Sequence, residues 1–270
     1  MVETPPKRLF AENRAQARAG LWPVPAQFPQ LRPTHIHVWC ARLTPTEAAL
    51  SLSESILSGP ERDRANRFHF IHHRERFILG RGILRMLLAK YTGMAAAELR
   101  FVEGPFGKPA LEQAAENSEV FFNISHCEDV ALFAFRTDQP IGVDIERVRE
   151  LKDADELVAR FFSARENQEF QGLSGELKAQ AFFNLWTRKE ALLKATGDGI
   201  AQKLHQVEVA LMPGEPAQIL GLPVGMVRPS EWFIQEFCPV TDFCGAVVTT
   251  QPVRKVITYD WPGFTQYRQL

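Results

Sequence analysis

The sequence predicts an α+β fold of two related halves, and three features lead there. Strand-like stretches with period-two alternation gather in runs instead of alternating singly with helices, which argues against repeated βαβ units. Two long helical stretches stand out, one within residues 62–90 and one over residues 178–195. Each is preceded by an Arg-Phe pair, Arg67-Phe68 and Arg160-Phe161, and each leads on to a meander of strands. On this reading residues 1–33 are an extension, 34–139 a first half and 140–270 a second half.

In the extension, Lys7 to Arg18 is Arg/Ala-rich with weak helical character. Pro23, Pro25, Pro29 and Pro33 then favour an extended strap, which Trp22 and Phe28 are expected to pack on the body. His35 to Leu43 alternates as a strand, Thr46 to Leu57 reads as a helix, and Ser58-Gly-Pro breaks it. The most basic stretch follows, from Arg62 through Arg74, Arg76, Arg81 and Arg85 to Lys90, with His69, His72 and His73 among them. Phe77, Ile78, Leu84, Met86, Leu87 and Leu88 give its second part an apolar side. Strands at 99–103 and 120–124 flank Gly104-Pro-Phe-Gly-Lys-Pro, a turn-rich loop carrying Lys108. A strand at 130–135 puts Ser125-His-Cys-Glu-Asp at a hairpin tip.

The second half opens with a strand at 141–145 and a helix at 155–162. Ser163-Ala-Arg-Glu166 has capping-box spacing and starts another helical segment. The long helix to Ala195 ends where Gly197 suits a C′ position. Strands are expected near 206–211, 231–238, 243–249 and 255–259.

A net charge of −1 announces no nucleic-acid partner, so a charged partner must meet a local patch. No apolar run approaches the ~18–20 residues of a membrane span, and the start lacks the apolar centre of a secretory signal. A cytoplasmic protein is expected. Cys40, Cys127, Cys238 and Cys244 show no metal-finger spacing. Cys238 and Cys244 flank an expected hairpin turn, but reduced, buried thiols are the default.

Two acidic constellations carry chemistry. Asp144 and Glu146, two apart in a strand, project their carboxylates to one face. Glu190 and Lys194, four apart, share a helical face, while Lys189 points about 100° away. Taken singly, the first could be a solvated strand edge and the second an exposed ion pair of ~0.2–0.5 kcal/mol. Adjacent carboxylates repel, a cost that a divalent cation offsets; oxygen-only ligands favour Mg²⁺ joined to substrate phosphates. Lys108, Arg62, Arg76, His126 and Lys194 are candidate phosphate contacts, with Ser125 as a hydroxyl donor. The absence of a Walker loop and of Gly-x-Gly-x-x-Gly argues against a nucleotide kinase or a dinucleotide enzyme.

In order, Gly107-Lys-Pro109, Phe122-Asn-Ile-Ser-His126, Gly142-Val-Asp-Ile-Glu146 and Trp186-Thr-Arg-Lys-Glu-Ala-Leu-Leu-Lys194 resemble the motifs of 4′-phosphopantetheinyl transferases of the larger, surfactin-synthetase-activating type. The resemblance runs from about Thr34 to the C-terminal strands. It implies two halves in pseudo-two-fold relation, each an antiparallel sheet with a long packed helix, and coenzyme A bound between them. It implies that Asp144, Glu146 and Glu190 hold Mg²⁺, or Mn²⁺, on the coenzyme's pyrophosphate, with Glu190 and Lys194 catalytic. Lys108, Ser125 and His126 would meet the nucleotide end, including its 3′-phosphate, with Arg62, Arg76, Lys189 and Lys194 also counted as coenzyme-binding. The implied reaction moves phosphopantetheine from coenzyme A to a serine of an apo acyl or peptidyl carrier protein. A monomer is expected, and the 62–90 arginines offer a patch for acidic carriers. Departures are Ile124 and Cys127 around Ser-His, Phe77 where a small hydroxyl residue touches the 3′-phosphate, and the Pro-rich strap. The alternatives are another Mg²⁺-dependent phosphoryl or nucleotidyl transferase, and a non-catalytic scaffold that binds carriers or coenzyme A.

Overall fold

A computed structural model describes residues 22–104, 107–112, 120–197 and 204–267. The expected helix at Lys7–Arg18 lies outside them. The first half contributes β1 (His35–Arg42), α1 (Glu47–Ile56), α2 (Gly59–Asn66), α3 (Ile71–Thr92), β2 (Phe101–Glu103), β3 (Pro109–Leu111), β4 (Phe121–Cys127) and β5 (Val130–Arg136). After it come β6 (Ile141–Arg147), α4 (Ala154–Phe161), α5 (Ala164–Gln171), α6 (Gly175–Thr196), β7 (Glu208–Val209) and β8 (Ile219–Gly221). The chain closes with β9 (Trp232–Phe237), β10 (Phe243–Thr250), β11 (Lys255–Asp260) and α7 (Gly263–Tyr267).

Two sheets form the centre, ordered β11-β1-β5-β4 and β6-β10-β9. Period-two alternation sorts their side chains into layers. Ile36, Val38, Cys40, Val130, Leu132 and Ala134 of the first sheet meet Ile141, Val143, Ile145 and Val247 of the second in one apolar cluster. The residues between them point outward: Trp39, Ala41, Phe133 and Phe135 pack under α3, and Ala246 and Val248 under α6. Each sheet is thus covered on both faces, and β5 is buried at every residue. The α+β expectation holds. Its pairings are antiparallel within both sheets except one: β11 runs parallel to β1. The final strand, read from sequence with the second half, therefore returns to the first sheet, and α7 follows it, Tyr267 donating its hydroxyl to the Met86 carbonyl.

The strap packs as expected. Trp22 is buried with its ring 5.5 Å from that of Phe237, and Phe28 stacks 5.6 Å from Trp39. Cys238 is exposed and Cys244 buried, and both are free thiols, as are Cys40 and Cys127.

Candidate active site

The site lies where β4, an edge of the first sheet, meets β6, an edge of the second. Asn123 Oδ1 on β4 accepts from the Val143 amide on β6 at 2.8 Å, fixing the two strands across the seam. In β6, Ile141, Val143 and Ile145 face the apolar centre, so Gly142, Asp144 and Glu146 face α6. Gly142 explains how closely α6 lies: a Cβ there would collide with the Ala191 carbonyl oxygen and the Ala195 amide nitrogen. A glycine inside a strand was the sequence signal for this contact.

The approach brings Lys194 Nζ to 2.6 Å from Asp144 Oδ1 and 3.0 Å from Ser125 Oγ. Ser125 in turn donates to Asp144 Oδ1 at 2.8 Å. Asp144 is buried, and its other oxygen, Oδ2, has no hydrogen-bond partner. Glu190 lies within electrostatic reach of all three charged groups: burial first, then Asp144 and Glu146, pushes its carboxyl above the usual carboxylate range, against the pull of Lys194. Burial and Asp144 raise Glu146 likewise. Among the described residues no three His, Cys, Asp or Glu side chains already stand at metal-holding spacing. The chemistry of the set nevertheless suits a hard divalent cation, since three mutually repelling acids include one buried oxygen bound to nothing.

Ser125 and His126 sit within β4 and not at the hairpin tip, which is formed by Glu128, at φ 53°, and Asp129. The strand runs longer than expected because His126 pairs with Ala131 and Cys127 with Val130. Alternation sends the two side chains to opposite faces, so they cannot act as nucleophile and base on one another. Surrounding protein, and after it Lys194, Arg76 and His73, hold the His126 imidazole below its ordinary value. Arg76 and Lys194, with the imidazoles of His73 and His126, thus form a basic cluster from α3, β4 and α6 beside the acids. His73 was not singled out from sequence, for nothing local distinguishes it from His69 and His72.

Other sequence candidates go elsewhere. Lys189 is fully buried, and its ammonium is spent on Glu166 Oε2 at 2.5 Å and on the carbonyls of Leu204 and Val207 at 3.1 and 2.7 Å. It braces α6 and faces away from the site. Arg62 turns its guanidinium to the Leu57 carbonyl. Lys108 Nζ donates to the carbonyls of Ile141, at 2.9 Å, and Lys194. Phe77 packs on Phe68, ring centres 5.5 Å apart, beneath Arg64. Two arginines of the basic stretch leave the surface altogether: Arg85 is fully buried and Arg81 nearly so, both against Glu61 at 2.7 and 3.4 Å.

A lysine–carboxylate couple, its aspartate buried and its lysine half-buried, lies beside two further acids at the seam of two helix-covered sheets, and family comparison gives the class. Residues 140–248 match the 4′-phosphopantetheinyl transferase superfamily, and residues 41–138 match the 4′-phosphopantetheinyl transferase N-terminal family. The chain belongs to this superfamily and is an enzyme of that class. It is 40% identical over 233 residues to the 4′-phosphopantetheinyl transferase HetI of Nostoc sp., covering 86% of this chain and 92% of that one. It is 29% identical over 157 residues to the 4′-phosphopantetheinyl transferase Sfp of Bacillus subtilis, with 58% and 67% covered. The L-aminoadipate-semialdehyde dehydrogenase-phosphopantetheinyl transferase of Pongo abelii is 26% identical over 196 residues, with 70% and 62% covered. Among the described residues no helix is long and apolar enough to cross a membrane.

Proposed function

We propose that the protein transfers the 4′-phosphopantetheine group of coenzyme A to a serine of an apo acyl or peptidyl carrier protein, with Glu190 as general base. The observation that carries the reading is the convergence of Asp144, Glu146, Glu190 and Lys194 from β6 and α6. The carrier's serine Oγ attacks the phosphorus that bears pantetheine, and the bond to the bridging pyrophosphate oxygen breaks. Adenosine 3′,5′-bisphosphate leaves with the bond's electron pair, and holo carrier remains.

A serine hydroxyl is a weak nucleophile at neutral pH, so its proton must be taken as the new bond forms. Glu190 suits that step: burial and neighbouring acids raise its proton affinity above that of an ordinary carboxylate. Lys194 places an ammonium where negative charge grows on the leaving phosphate, and Ser125 holds Lys194 and Asp144 together. Arg76 supplies positive charge for the nucleotide's phosphates, and His126, whose imidazole is held toward its neutral form, offers them a ring N–H donor. Asp144, Glu146 and Glu190 would hold Mg²⁺, which supplies Lewis-acid charge on the pyrophosphate when bound.

The carrier is expected to meet the corner between α2 and α3, where Phe70 and Ile71 are exposed among Arg67, His69 and His72, since the burial of Arg81 and Arg85 moves the basic surface there. The protein is expected to act as a cytoplasmic monomer. The test is to mix it with coenzyme A, Mg²⁺ and several purified apo carriers and to weigh the carriers. A mass gain of one phosphopantetheine that needs both coenzyme and divalent ion supports the proposal. Hydrolysis of coenzyme A with every carrier left unmodified would instead point to a different phosphoryl transferase.

A further inference from the structure

Lys108 does something in this fold that its motif does not announce. The β2–β3 hairpin delivers it: the Gly107 amide bonds the Gly104 carbonyl and the Gly104 amide bonds the Lys108 carbonyl, both at 2.9 Å, with Gly107 at φ 73°. From there the side chain crosses the seam between the halves. Its ammonium donates to the carbonyl of Ile141, the first residue of β6, and to the carbonyl of Lys194 in the last turn of α6. The last four carbonyls of a helix lack partners within it, and the negative end of the helix dipole favours a cation there. The Leu193 carbonyl of that turn is satisfied by the Gly197 amide, and the Lys194 carbonyl by Lys108.

We propose that Lys108 is a positioning residue of the transfer reaction: its ammonium ties the start of β6 to the last turn of α6, and so holds Glu190 and Lys194 in register over Asp144 and Glu146. The two anchored carbonyls flank the contact at Gly142, where α6 and β6 have no room for a side chain. Asp144 lies three residues beyond one anchor, and Lys194 carries the other. A grip on the nucleotide's 3′-phosphate, the expectation from sequence, would require the ammonium of a first-half residue to leave two carbonyls that β6 and α6 of the second half bring to it. Burial brings this lysine down to about 8, so at neutral pH the ammonium that the two carbonyls accept from is still the prevailing form.

The proposal rests on the transferase reading, and the experiment separates the two. Wild type, Lys108→Met and Lys108→Arg are assayed on coenzyme A and on 3′-dephospho-coenzyme A, and hydrogen exchange is followed in the last turn of α6. A clasp predicts that Lys108→Met lowers kcat about tenfold, by the same factor on both substrates, because misplacing a reacting group by about an ångström is costly whatever the nucleotide carries. Amides of the last turn of α6 exchange faster in that variant, and Lys108→Arg, which can also bond two carbonyls, recovers most of the rate. A loss confined to KM, seen with coenzyme A and absent with the dephospho substrate, makes Lys108 a phosphate ligand and overturns the proposal. Unchanged kcat, or unchanged exchange in Lys108→Met, overturns it as well. A wild type that modifies no carrier refutes the transferase reading, while the exchange comparison still decides the clasp. Should Lys108→Met not fold, the arginine variant carries the test: a KM defect specific to coenzyme A would again overturn the clasp.

Discussion

The two halves fix their long helices by one device and put different chemistry on it. In each, a capping box starts the helix before the long one, Ser58 with Glu61 and Ser163 with Glu166, and its glutamate is buried. In each, the fifteenth residue of a 22-residue helix comes down on that glutamate: Arg85 of α3 at 2.7 Å, Lys189 of α6 at 2.5 Å. That cation also bonds two carbonyls of the chain following the helix, Ala96 and Leu99 in one half, Leu204 and Val207 in the other. Each helix then stops at a left-handed glycine, Gly93 and Gly197. The residues after the cation diverge. Met86 is buried in the core and Lys90 lies over the Tyr267 ring, whereas Glu190 and Lys194, at the same two places in α6, stand over the acids of β6. The brace that sets a helix and the groups that do chemistry are separate, one residue and about 100° apart.

The braces give the largest expected effect. Lys189→Ala leaves Glu166 buried and uncompensated, which should cost about 3–5 kcal/mol of stability. Arg85→Ala should cost less, since Arg81 remains 3.4 Å from Glu61. Urea unfolding of both variants measures the difference. If Lys189→Ala keeps wild-type stability and raises KM for coenzyme A, Lys189 is a ligand after all and the parallel between the halves fails.

The chemical groups should respond in the opposite sense. Glu190→Gln and Asp144→Ala are each expected to lower carrier modification by about 10²-fold or more, about 2.7 kcal/mol of barrier, with little change in melting temperature. Met86→Leu, at the place in α3 that corresponds to Glu190, should leave the rate within about twofold. Near-wild-type rates in either acid variant would remove those groups from the mechanism.

How much of this was legible in the sequence follows the same division. Glu190 and Lys194 at i,i+4, and Asp144 and Glu146 at i,i+2, announce shared faces because local geometry alone decides them, and the structure brings the two sets together. The longer strands and helices were legible from periodicity to within a few residues, whereas α2, β3, β8 and α7, all of eight residues or fewer, were not read at all, and β7 covers only Glu208–Val209 of the expected 206–211. The direction of Lys189 was legible too, pointing away from Glu190, yet its partner was not. Glu166 had shown itself only as a cap, and whether a capping glutamate also receives a distant lysine depends on how α5 lies against α6. Lys108 failed for the same reason, since the carbonyls it meets are 33 and 86 residues away. The return of β11 to the first sheet was likewise hidden, because alternation gives a strand's faces and not its neighbour.

The contact between helix and sheet can be tested directly. Gly142→Ala places a methyl group where the Ala191 carbonyl and the Ala195 amide stand, so α6 must lift from β6. Overpacking of this kind costs about 1–3 kcal/mol. It should lower carrier modification further than that loss of stability explains, because Lys194 and Glu190 move with the helix. In the first half α3 packs on the side chains of Trp39 and Phe133, and its own close glycine contact, Gly82 against Ser53, is made to α1 and not to the sheet. A Gly142→Ala protein with full activity would show that the close approach is incidental to catalysis.

The effect that vanishes at neutral pH belongs to the first half. His37 of β1 is fully buried beneath α3, where Trp39 Nε1 donates to Tyr91 Oη at 2.8 Å and His37 Nδ1 lies 2.9 Å from the same oxygen. A neutral imidazole fits: the hydroxyl proton of Tyr91 goes to Nδ1, and Nε2 is left without a partner. Burial, and after it the neighbouring His35, brings this imidazole down to about 3, from 6.5 in the unfolded chain. A folded-state value below the unfolded one means that the unfolded chain binds the proton first. The stability given by the neutral ring is therefore complete above pH 6.5 and falls as the pH drops toward 3, by about 1.4 kcal/mol per pH unit. Unfolding in urea at pH 7.5, 6.5, 5.5 and 4.5 should show a steeper loss for wild type than for His37→Gln, by that one-proton slope and only below pH 6.5. Parallel curves for the two proteins would mean that His37 takes up its proton in the fold as readily as in the unfolded chain, and its contact with Tyr91 would have to be redrawn around an imidazolium.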